Sequence, residues 1–121
     1  MAYTLTVERD RLEVTDTSGS AVATANISPS GCIGGIDMPD HIRKSNRARL
    51  AALRCMGGND EDGAIIRARA YYANEQRAGI EMSNGGTVDP SCFPLWARSV
   101  LDRHFPGWSV ADSFGKLTPV L

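Results

Sequence analysis

The chain opens on strict alternation. Tyr3, Leu5 and Val7 point one way and Thr4, Thr6 and Glu8 the other, the period-two pattern of a strand buried on one face. Arg9-Asp10 makes a short turn, and Leu12 and Val14 resume the alternation. Asp16-Thr17-Ser18-Gly19 is turn chemistry, with Gly19 suited to the positive φ of a bulged hairpin loop. A third strand follows through Ala21, Ala23, Ala25 and Ile27, with Val22 and Thr24 on its other face, although alanine is a poor strand former. Residues 3–27 therefore predict a three-stranded antiparallel meander.

The period then lengthens. Residues 28–36, rich in Ser, Pro and Gly, read as a loop. Asp37 is a good N-cap, with Pro39 and Asp40 suited to a first turn. Met38, Ile42, Leu50, Leu53 and Met56 fit one apolar stripe, Ala52 and Cys55 lie at its edge, and Gly57 stops the helix. Asn59 caps the next helix, with Asp60, Glu61 and Asp62 in its first turn and Ile65, Ile66, Ala68, Tyr72 and Ala73 on its apolar side. Gly79 is expected to end it, with Ile80 folding back over the cap. The short link Gly57-Gly58-Asn59 predicts an antiparallel helical hairpin over 37–79. Residues 83–90 form a second loop, closing on Asp89-Pro90 as a cap and first-turn proline. A third helix settles after Pro94, with Phe93, Trp96, Val100, Leu101 and His104 or Phe105 on one face, and Pro106-Gly107 ends it. Trp108 and Val110 offer a final edge strand, and the apolar end Leu117 to Leu121 is expected to dock. The expected fold is α+β in one domain, 1–121: a meander over 3–27, a helical hairpin over 37–79, and a C-terminal helix and tail over 89–121.

Composition adds little to this and excludes some classes. With 121 residues, 42% hydrophobic and 22% charged, the chain can build one core without metal or disulfide. Three scattered cysteines, Cys32, Cys55 and Cys92, point to a reducing compartment. No apolar run approaches a membrane span, and MAYTLTVERD lacks the layout of a signal peptide, so the expectation is a cytoplasmic protein.

Charge changes the picture more. The net charge is −1, but from His41 to Arg54 stand Arg43, Lys44, Arg47, Arg49 and Arg54, while all 14 acids lie elsewhere. A basic segment on an acidic body is the main electrostatic feature.

Catalytic and metal chemistry are not expected. The Gly-rich loop Ser30-Gly31-Cys32-Ile33-Gly34-Gly35 has neither standard phosphate-loop spacing and reads as a connection. Cys32 and His41 have no spacing that demands a nucleophile and base. Cys32, His41, Cys55, Cys92 and His104 lack paired zinc spacing, so no metal or cofactor is expected, and Cys55 and Cys92 read as core. The acids at 60–62 are explained by the helix dipole.

The binding candidates are Arg43, Lys44, Arg47 and Arg54 on a common exposed side, with Arg67 and Arg69 extending the patch. Tyr71 and Tyr72 are adjacent, so one is expected to be partly exposed, and exposed tyrosine beside arginine favours an interface. The expected function is a non-catalytic binding protein, an inhibitor or adaptor occupying a protein partner's surface. In size and charge segregation the chain resembles, in style, the anti-CRISPR-like proteins with which phages and mobile elements block host nucleic-acid-handling or defence machines. No motif carries that resemblance. The alternatives are nucleic-acid binding through 43–54, and a nucleotide or small-molecule pocket at an oligomer interface, for which a homodimer would serve.

Overall fold

The computed structural model describes residues 2–81 and 89–109, without the side chains of 77–81. Four strands, β1 (Thr4–Glu8), β2 (Arg11–Thr15), β3 (Ala21–Ile27) and β4 (Ile33–Asp37), form an antiparallel sheet in chain order. Register explains the core. Val7 pairs with Leu12 and Leu12 with Ala25, while Leu5 pairs with Val14 and Val14 with Ala23. Those two rows face the helices, and Val7, Leu12, Val14, Ala23 and Ala25 are buried. Thr6, Glu13 and Thr24 form the outer row.

The meander is as expected, with two corrections. Val14 faces Ala23 but Thr15 faces Ala21, so Val22 is the extra residue of a bulge. The bulge turns Val22 into the core at 3% exposure, instead of leaving it on the other face. The second correction is β4 itself, which lies within the expected loop. Ser28 and Cys32 close a tight turn, through Ser28 N–H to Cys32 O at 2.8 Å and Gly31 N–H to Ser28 O at 2.9 Å. The chain beyond it pairs back, irregularly, onto β3. Asp37 thus ends a strand and does not cap a helix.

The first expected helix is two helices. α1 (Asp40–Arg43) is followed by α2 (Asn46–Met56). Between them Ser45 takes an extended conformation (φ −100, ψ 108) and its hydroxyl accepts from Ala48 N, an N-cap that restarts the helix. The restart sets a new phase. Ala48, Ala52 and Met56 are buried and Leu53 half-buried, while Leu50, expected in the stripe, is 48% exposed. The small residues Ala48 and Ala52 let α2 lie close over β1 and β2.

α3 (Glu61–Glu81) runs along β1. Asp60, not Asn59, caps it, accepting from Gly63 N at 2.8 Å. Gly79 does not end it. Ala68, Tyr71 and Tyr72 are buried, but Ile66 is 42% exposed and Ala73 is exposed as well. The link from α2 is tight: at Gly57 (φ +78) a Cβ would sit 2.7 Å from Gly63 Cα, so the two glycines set the helix separation. Asp89 caps a 3-10 turn at Pro90–Cys92, and α4 (Leu95–His104) packs on α3. Phe93, Trp96, Val100, Leu101 and Phe105 are buried as their spacing predicts. Tyr71, Tyr72, Phe93, Trp96 and Trp108 form an aromatic cluster, with ring centroids 4.9–6.4 Å apart. The fold is α+β. The loop expected at 83–90 lies mostly outside the described residues, as do the Ile80 contact and the tail beyond Ser109 with its expected strand and docking end.

Candidate partner-binding surfaces

Three places on the molecule gather chemistry. The first is the basic segment, which the fold divides. Arg43, on α1, is tied to its own surroundings: Nη2 donates to Met38 O at 3.0 Å, and the guanidinium lies 3.7 Å from Asp37 and 3.8 Å from Asp40. Lys44 is exposed at the helix break. Arg49 turns half inward, and its Nη2 donates to Asn46 Oδ1 at 3.0 Å. Arg47 and Arg54 are exposed, and with Leu50 between them at i, i+3 and i+7 they form the outer face of α2. Arg69 is exposed on α3.

The second place is a groove of about 720 Å³ between the Arg9-Asp10 turn, the Ser28-Pro29 turn and the start of α4. Its walls are Ile27, Tyr71, Phe93, Leu95 and Trp96. Arg9 has φ 50, a left-handed conformation uncommon outside glycine, and its turn is held by Ile27 N–H donating to Asp10 O at 2.7 Å. Leu95 is 67% exposed at the groove's lip. Tyr71 lines the groove but is not an exposed tyrosine. Both Tyr71 and Tyr72 are 2% exposed, which overturns the expectation that one would be at the surface; the core takes both because Phe93 packs against each ring. The Tyr71 hydroxyl donates to Cys92 O at 3.4 Å, and burial pushes its pKa above the ordinary value.

The third place was missed as a site. Arg67 was expected on the surface patch, yet it is 1% exposed. Its guanidinium donates to Gly58 O at 2.7 Å, Gly31 O at 3.1 Å and Met56 O at 3.3 Å. It thereby joins the end of α2, the α2–α3 link and the β3–β4 turn. Position 67 falls inside the stripe Ala64, Ala68, Tyr71, Tyr72 that the structure buries, a phase different from the one the sequence pattern suggests. Beside it, Asn59 Oδ1 accepts from Ile33 N at 2.8 Å, and a cavity of about 310 Å³ opens between the 29–32 turn, the start of α3 and α4. At its edge Glu61 binds Arg103 at 2.9 Å and His104 at 2.6 Å. The His104 hydrogen bond, then Arg103, hold the Glu61 carboxyl below its ordinary value.

Among the described residues no group of three His, Cys, Asp or Glu side chains could hold a metal. Cys32 and Cys92 are exposed and Cys55 is half-buried, so the expected core role fails for Cys92, whose thiol donates to Asp89 Oδ2 at 3.5 Å. None of the described helices is long and apolar enough to cross a membrane. Comparison with family models, curated proteins and solved structures finds no match.

Proposed function

We propose that this chain is a non-catalytic binding protein that acts by covering an acidic surface of a protein partner, with the outer face of α2 as the contact. The observation that carries this reading is the arrangement of Arg47, Leu50 and Arg54. The capped restart at Ser45 turns all three outward, placing a large apolar side chain between two guanidinium groups. Arginine is enriched at interfaces, and a large exposed apolar side chain held between two guanidinium groups is surface that a partner can cover. A surface that tracks phosphates needs no leucine, and the acidic remainder of the chain opposes a polyanion. Occlusion is then the mode of action, as in the small blocking proteins of phages and mobile elements.

The test is capture from lysate of the cell that makes the protein, with and without nuclease treatment, with wild type and Leu50→Ala side by side. A protein captured by wild type, and binding it again after purification, supports the reading if Leu50→Ala weakens that binding about tenfold. Loss of capture on nuclease treatment would transfer the reading to nucleic acid.

The groove supports a second reading, a small-molecule site. Its volume of about 720 Å³ and aromatic wall suit a planar ligand. A thermal-shift screen with nucleotides tests it, because a ligand bound only to the native state must raise Tm.

A further inference from the structure

We draw no further inference here: the strongest candidate, the groove between the Arg9-Asp10 turn, the Ser28-Pro29 turn and the start of α4, belongs to the small-molecule reading already given, and nothing in the structure shows what covers the exposed Leu95 at its lip.

Discussion

The consecutive helices α2 and α3 use arginine in opposite ways. On α2, Arg47 and Arg54 stand in solvent around an exposed leucine; on α3, Arg67 is drawn into the core and bonded to backbone carbonyls. The residue type is the same and helix phase decides the role. On α2 the N-cap at Ser45 rotates the arginines outward. On α3 the burial of Ala68, Tyr71 and Tyr72 carries Arg67 inward with them. An exposed guanidinium adds little to stability and much to recognition. A buried one does the reverse, since removing it strands every carbonyl it held.

The largest test of that contrast is Arg67→Ala, expected to lower stability by about 3–4 kcal/mol, through three lost charge-assisted bonds and the carbonyls left unpaired. Urea denaturation showing a loss below 1 kcal/mol would mean that water replaces the guanidinium and that the buried arginine holds nothing. Trp96→Ala should cost a similar or slightly smaller amount, about 3 kcal/mol, because the indole is buried and packs edge-on against Tyr71. Near-native melting of that variant would mean that the aromatic cluster holds without the indole.

These positions also show what was legible in the sequence. The meander was, because alternation at 3–7 and 12–14 leaves no other way to bury one face. β4 was hidden, because Gly34 and Gly35 carry no side-chain pattern and its pairing with β3 is irregular. The outer face of α2 was half legible: its arginines stood out, but without the cap at Ser45 the helix was read from Asp37 and Leu50 fell on the wrong side. Arg43 looked free because its partners, Asp37 and Asp40, were assigned to a helix start. Arg67 was overlooked because a charge inside an apolar stripe contradicts burial until its carbonyl partners are known.

Smaller effects sharpen the comparison. Ser45→Ala should cost about 1 kcal/mol, the usual worth of an N-cap, in a chemical denaturation midpoint; no change would mean that packing alone sets the phase of α2. Glu61 gives a pH effect. Its carboxyl is held low in the folded protein, chiefly by His104, so its contribution is present above the unfolded pKa and is lost as pH falls through the depressed folded value. The group is exposed, which limits the amount to about 0–1 kcal/mol. Melting curves of Glu61→Gln should fall less steeply with acid than wild type; parallel curves would show that the ion pairs do not form in solution.

The smallest effect on stability is expected from Arg47→Glu with Arg54→Glu, within about 0.5 kcal/mol, because both side chains are exposed. Reversing the same two charges is also the most direct test of the proposed interface. Measured by calorimetry against the purified partner, the double variant should melt like wild type and bind at least a hundredfold more weakly, with most of the loss gone at high salt. A double variant that folds normally and binds with wild-type affinity would contradict the assignment of the α2 face.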